Sequence, residues 1–388
     1  MEEQNEYNLY FDNSATSWPK PEGVYRAAEN YLRSVGGSPG RSSHTRALKA
    51  DRLVYEARER TSRLLGAGDP SRMVFTLNAT DALNMAIKGV LQEGDHVIAT
   101  VLEHNSVLRP LGSLKRAGVI DLSLVPVSSE GYPDLDYLES CFTSKTRLVI
   151  CNHASNVLGS IAPIKPLAEL THRHGSILLV DASQSAGSLP FSVKELDVDL
   201  LAFTGHKGLL GPPGTGGLYV KEGVEIGYWR EGGTGSQSEK DEHPVEMPER
   251  LEAGTMNAPG IAGLSEGVKF LLEEGLQAVR NHESGLISRL LEGMHSLPGI
   301  TIYGPSNPQE RIAAVSFNIN NLDAGELGFA LEESFGILCR TGLHCAPLAH
   351  QAIGTFPHGT IRVSPGYFHR NEDIDYLLEC LEKITTHL

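Results

Sequence analysis

Between Arg72 and Val220, short apolar runs alternate with amphipathic stretches. The runs are Met73–Leu77, His96–Val101, Leu122–Val127, Leu148–Asn152, Ile177–Val180, Leu200–Phe203 and Gly217–Val220. Each has the length of a strand. Between several of them, Ala79–Gly89, Val107–Ala117 and Ile164–His174 place apolar residues at helical spacing. Alternation of this kind predicts an α/β fold with a mostly parallel seven-stranded sheet and helices on both faces. After Thr255 the pattern changes. It predicts a long helix over Ile261–Leu291, a strand at Ala313–Ile319 and a helix at Ala324–Phe335. Strands at Gly336–Arg340 and Gly359–Val363 follow, and an amphipathic helix over Glu372–Ile384 closes the chain. The expected division is a large ligand-binding domain over residues 14–257 and a smaller α+β domain formed by residues 1–13 and 258–388. The stretch Gly232–Pro248, rich in Gly, Ser and Glu, reads as an exposed loop.

Composition narrows the field. The chain has 388 residues, enough for two or three packed units. Its 41 glycines have no period, which excludes a collagen-like repeat and suits many tight turns. A net charge of −15 argues against broad nucleic-acid binding, which needs clustered Lys and Arg. The five cysteines are odd in number, scattered, and free of any CxxC pair, so neither a zinc site nor a redox dithiol is expected. A reducing, cytoplasmic location is the expectation. Met1–Asn8 is acidic and polar, unlike a secretory signal, and no apolar run approaches the length of a membrane span.

The chemistry concentrates at two run endings. Ser176–Gln184, SILLVDASQ, ends a buried strand in Asp181, and Asp199–Gly208, DLLAFTGHKG, ends another in Thr204, Gly205, His206 and Lys207. Ligands of open α/β sheets gather at the carboxyl ends of strands, so both endings should share one crevice. An acid and a lysine there suit pyridoxal 5′-phosphate (PLP). The lysine forms an imine, and the carboxylate keeps the pyridine nitrogen protonated. Alone, Asp181 reads as a turn former and Lys207 as a solvated side chain. Together they feed Gly208–Gly214, GLLGPPG, an expensive conformation unless something binds. Thr76–Asp81, TLNATD, follows a strand and opens a helix, either as an anion cradle using Thr80 or as an ordinary Thr cap. The chain has no P-loop and no GxGxxG, which sets aside a nicotinamide oxidoreductase.

With these residues goes a series of motifs in fixed order. They are YFDNSAT (Tyr10–Thr16), NATDALN (Asn78–Asn84), Glu103–His104, SNVLGS (Ser155–Ser160) and VDASQS (Val180–Ser185). TGHK (Thr204–Lys207), EAGTMN (Glu252–Asn257), RTGLHCA (Arg340–Ala346) and Arg362–Ser364 complete the series. In them the chain resembles the class V aminotransferase group of fold type I PLP-dependent transferases, and within it the cysteine desulfurases, over nearly its whole length. The resemblance implies a Schiff base on Lys207, which also moves the substrate's α-proton. It implies Asp181 at the pyridinium, Gln184 at the ring oxygen and His104 stacked on the ring. Thr80, Ala79, Thr204 and His206 would hold the phosphate, and Arg362 and Asn156 the substrate carboxylate. Thr255 would reach the neighbouring subunit's phosphate, so a homodimer is implied.

Cys345 follows Arg340-Thr-Gly-Leu-His and matches the catalytic cysteine of the short-loop desulfurases. Cys141, Cys151 and Cys380 read instead as small hydrophobes. The implied reaction takes L-cysteine to L-alanine, leaves a persulfide on Cys345, and passes the sulfur to an acceptor thiol on a partner protein, as in iron–sulfur cluster assembly. A neighbouring Arg340 and His344 would favour the thiolate that this requires. Alternatives within the same chemistry are a selenocysteine lyase, another class V β-lyase, or an aminotransferase; outside it stands a non-catalytic sulfur carrier. Some residues depart from the family pattern. Ser14 replaces an alanine and Leu343 a histidine, Gly40–Lys49 matches only loosely, and Cys339 sits where an aliphatic residue is usual, as a core residue or a resolving thiol.

Overall fold

The computed structural model describes residues 9–235 and 239–386. The Met1–Asn8 segment and the middle of the Gly232–Pro248 loop lie outside the described residues. Among the described residues, no helix is long and apolar enough to cross a membrane.

A two-residue strand, β1 (Leu9–Tyr10), is followed by the helices Glu22–Asn30 and Thr45–Leu64. Seven strands then appear in turn: β2 (Met73–Thr76), β3 (Asp95–Thr100), β4 (Ile120–Val125), β5 (Thr146–Asn152), β6 (Ile177–Asp181), β7 (Leu200–Thr204) and β8 (Gly216–Val220). They form one sheet in the order β2-β8-β7-β6-β5-β3-β4. Only β8 runs against its neighbours, pairing antiparallel with both β2 and β7. All seven runs anticipated from the sequence are in this sheet. Its central strand β7 is buried along its whole length and β6 in all but its first residue, as expected of covered strands. One apolar cluster fills each face.

The remaining strands are β9 (Ile300–Tyr303), β10 (Val315–Ile319), β11 (Ile337–Leu338), β12 (Arg340–Gly342) and β13 (Thr360–Val363). A four-stranded sheet in the order β12-β13-β10-β9 packs its own apolar cluster around Phe317, Leu290 and Leu377. β11 pairs instead with β1, so the chain's described beginning is tied to its last third.

The differences from expectation have local causes. The long helix splits into Ala258–Glu274 and Leu276–His295 because Gly275 takes φ +83°, outside the helical region. The strand expected at Gly336–Arg340 becomes β11 and β12, which join different sheets. Glu22–Asn30, Thr45–Leu64 and β9 were not anticipated.

Register sets the site. Asn152 at the end of β5 pairs with Asp181 at the end of β6, and Asp181 with Ala202 of β7. The carboxyl tips of β5, β6 and β7 therefore stand side by side, with Thr204, His206 and Lys207 leaving the last of them. Gly216 lets the start of the next helix close in, since a Cβ there would lie 2.7 Å from the Asn78 backbone.

Candidate active site

At those tips lies a cavity open to solvent, the place where small-molecule sites of open α/β sheets form. Its walls include Ala79, Thr80, His104, Asn156, Asp181, Gln184, Thr204, His206 and Lys207, which come from five separate stretches of the chain. The structure thus brings together nine of the residues singled out from sequence. It adds Asn78, Ser106, Asn152, Ser183 and Arg340 to the lining.

Lys207 and Asp181 both line the cavity. Burial pushes the Lys207 ammonium down to about 8, Asp181 pulls upward, and Arg362 and Arg340 add to the depression. A substantial neutral fraction at neutral pH is what a nucleophilic lysine needs. Asp181 is buried and is oriented by the Ser183 N–H, which donates to Oδ1 at 2.9 Å, and by the Ser183 hydroxyl. Gln184 donates from Nε2 to the Ser14 carbonyl at 3.0 Å, so residue 14 contributes through its backbone.

His104 caps the helix Asn105–Arg116. Its Nδ1 accepts from the Ser106 N–H at 3.0 Å. A ring nitrogen that accepts a backbone hydrogen carries no proton, so neutral His104 holds its hydrogen on Nε2. Burial, together with Lys207, Arg340 and Arg109, holds its pKa below the usual histidine range.

On one wall, Ala79–Val90 begins a helix capped by Asn78, whose side chain accepts from the Asp81 N–H at 2.9 Å. Thr80 is therefore not the cap. Its hydroxyl lies 2.7 Å from that of Ser106, facing the cavity. Opposite, Thr204 Oγ1 and His206 Nδ1 are buried without a partner. Burial first, then Lys207 and Lys20, push His206 down to about 4. Unpaired buried polar atoms cost free energy, and these two face one cavity with a helix N-terminus and a depressed lysine. That set fits PLP, with Lys207 and Asp181 addressing the ring and Thr80, Thr204 and His206 the phosphate.

Three of the expected residues lie outside the cavity lining. Thr255 is exposed. Arg362 is fully buried on β13. Its Nη2 pairs with Asp12 Oδ1 at 2.7 Å, its Nη1 donates to the Asn156 carbonyl at 3.0 Å, and its Nε has no partner. Cys345 follows β12, and Arg340 Nη2 lies 3.4 Å from its Sγ. His344 and Cys345 both take left-handed backbone angles, φ +47° and +60°, which cost non-glycine residues about 1 kcal/mol or more each. Two contacts from the other sheet hold them there. The Asn156 amide donates to the His344 carbonyl at 2.7 Å, and the Asn105 N–H to the Cys345 carbonyl at 2.8 Å.

Two expectations about cysteine chemistry change. Arg340 brings positive charge to the Cys345 sulfur, and His344 does not. His344 turns its Nε2 to Thr360 Oγ1 at 3.0 Å, and burial beside Arg362 keeps the ring neutral, with its pKa near 2. Cys339 packs against the smaller sheet's core, and burial pushes its thiol up to about 12, which removes the thiolate that a resolving role needs. Cys151 and Cys380 are buried and Cys141 packs half-buried against the main core, as expected of small hydrophobes.

The family Aminotransferase class-V matches residues 9–377. A probable cysteine desulfurase of Methanothermobacter thermautotrophicus is 34% identical over 97% of this chain and 94% of its own length. A cysteine desulfurase of Escherichia coli is 33% identical over 98% of this chain and 95% of its own. The apo structure of a cysteine desulfurase from Thermococcus onnurineus superposes with a TM-score of 0.89 at 31% identity, covering 98% of this chain and 96% of that one.

Proposed function

The chain belongs to the class V aminotransferase family, and on that premise we propose how its residues act as a PLP-dependent cysteine desulfurase that converts L-cysteine to L-alanine. The observation that carries the reading is one arrangement. A lysine of depressed pKa and a buried Asp181 share the sheet tips, and Cys345, with an arginine at its sulfur, is tied to the same cavity wall through Asn105 and Asn156.

When bound, the cofactor supplies a protonated ring that withdraws electrons from the substrate's α-carbon. Asp181 holds that protonation. Lys207 takes the proton from the α-carbon and returns it. Arg362 and Asn156 hold the substrate carboxylate, using the unpaired Arg362 Nε and the cavity-facing Asn156. The Cys345 thiolate, with Arg340 at its sulfur, attacks the substrate sulfur. A sulfur–sulfur bond forms, the substrate's carbon–sulfur bond breaks, and the electron pair stays with the three-carbon fragment. That fragment takes up a proton, with His104 Nε2 as the nearby carrier, and leaves as alanine. A second thiol then takes the terminal sulfur from Cys345.

The same reading includes a homodimer in which exposed Thr255 completes the partner's phosphate site, a sulfur-acceptor protein, and a cytoplasmic setting. It also keeps the division at residues 14–257. The test is release of alanine and sulfide from L-cysteine plus a reductant, in wild type and Cys345→Ala. Loss of both products in the variant, with the cofactor band intact, is expected. Undiminished alanine from the variant, or none from wild type, overturns the reading.

A further inference from the structure

The turn that carries His104 is built around Glu103, whose side chain has no solvent exposure. Its Oε1 accepts from Thr100 Oγ1 at 2.7 Å, at the end of β3, and from the Asn152 N–H at 3.0 Å, at the end of β5. Thr100 Oγ1 accepts in turn from the Leu102 N–H at 3.2 Å, and the Asn152 amide donates to the Leu102 carbonyl at 3.3 Å. These contacts clamp Thr100–Glu103 onto the tip of β5, and the next residue is His104. The residue after that, Asn105, holds the Cys345 carbonyl.

We propose that Glu103 is a positioning residue for His104: its buried carboxyl locks the turn between the tips of β3 and β5 and so sets where the His104 ring stands in the cavity. The inference rests on the desulfurase reading for what His104 does, though not for where it stands.

The carboxyl does this as a neutral acid. Oε1 already receives two hydrogens, so the proton resides on Oε2, which is buried and has no partner. The titratable groups facing Glu103 are Asp181 on β6, the Cys151 thiol on β5 and the adjoining His104. The first two oppose a second negative charge, and His104 stays neutral because burial lowers its pKa. Burial first, with Asp181 adding and the Thr100 and Asn152 hydrogen bonds opposing, pushes Glu103 up to about 8. For a carboxyl raised on folding, the neutral form belongs to the native state. Its contribution to stability is therefore fully present below the unfolded carboxyl range and is lost as pH rises through about 8.

The test compares wild type, Glu103→Gln, Glu103→Ala, His104→Ala and the last two combined. One readout is the ¹⁵N shift of the His104 ring in histidine-labelled apoprotein across pH 6–10. The other is the rate of alanine formation by the holoenzyme at pH 7. Glu103→Gln, which matches the neutral acid, should keep the wild-type ring signal and a rate within about twofold at pH 7. Glu103→Ala should move the ring signal and lose about 100-fold in rate, the scale of a misplaced catalytic group. In the His104→Ala background the same change should cost less than about twofold. The proposal is overturned if Glu103→Gln is as damaging as Glu103→Ala at pH 7, or if the Glu103→Ala loss is undiminished without His104. Should Glu103→Ala fail to fold, Thr100→Val, which removes the hydroxyl that Glu103 Oε1 accepts from, takes its place: it should move the ring signal, and an unmoved signal overturns the proposal. Because the ring signal needs neither cofactor nor substrate, a wild type that forms no alanine would sink the desulfurase reading and leave this inference separately judged.

Discussion

The sheet tips and the Cys345 segment hold their reactive groups in opposite ways. Asp181, Thr204 and Lys207 leave strands that are buried on both faces and paired in register, so their position is fixed by the core. Cys345 sits in a left-handed turn after a three-residue strand at the edge of a four-stranded sheet, and hydrogen bonds from the other sheet's loops keep it there. The first arrangement suits a cofactor that stays. The second suits a sulfur that is picked up at one place and handed over at another, because two hydrogen bonds open far more readily than a sheet.

The largest expected effect breaks the tip half of the comparison. Lys207→Ala removes both the cofactor's anchor and the base at the α-carbon, and should lower alanine formation by at least about 10⁴-fold. It should also abolish the absorbance change that follows Schiff-base formation. Cys345→Ala should be as inactive in sulfide release and leave that absorbance unaltered. If Lys207→Ala still took up cofactor in covalent linkage, the tip assignment would be wrong, because another lysine would be carrying it.

How far each half was legible follows from the same contrast. SILLVDASQ and DLLAFTGHK announce themselves because a strand buried on both faces is an unbroken apolar run, and the polar residue ending it stands out. Thr45–Leu64 (TRALKADRLVYEARERTSRL) is as real an element, yet its buried positions are Ala, Val and even Arg58, so the apolar stripe is faint. Arg58 is buried there because Glu252 meets it with two contacts, 2.7 and 2.8 Å, across 194 residues. Arg362 was visible as an arginine in a matching motif, but not its pairing with Asp12, 350 residues away. His344 illustrates the limit in one residue: adjacency to Cys345 suggested a charge partner, and burial beside Arg362 turned it into a neutral hydrogen-bonding group.

A smaller effect sharpens the cysteine half. Arg340 is the cation in contact with Cys345 Sγ. Arg340→Met keeps much of the side chain's length and removes the charged donor at the sulfur, so alkylation of Cys345 should slow by about tenfold at pH 7. The measurement is the rate of iodoacetamide alkylation of Cys345 in the absence of substrate, followed against pH. An unchanged rate at pH 7 would show that the arginine does not activate the Cys345 sulfur.

The smallest effect runs the other way on the same probe. Asn156 places its amide on the His344 carbonyl, and its own carbonyl receives Arg362. Asn156→Ala keeps the second contact, which is backbone, and removes the first. A buried carbonyl left without its donor costs about 1–3 kcal/mol, charged to a segment already in left-handed conformation. The turn should therefore open more often, and Cys345 should alkylate about fivefold faster or more, in contrast to the slowing by Arg340→Met. Amide exchange at residues 342–346 should quicken in parallel, while exchange at the tips of β6 and β7 stays as in wild type. Because both readings are taken without substrate, a weaker hold on the substrate carboxylate does not enter them. If exchange quickens equally at β6 and β7, the two regions open as one unit, and the cysteine segment owes its position to the global fold rather than to its two hydrogen bonds.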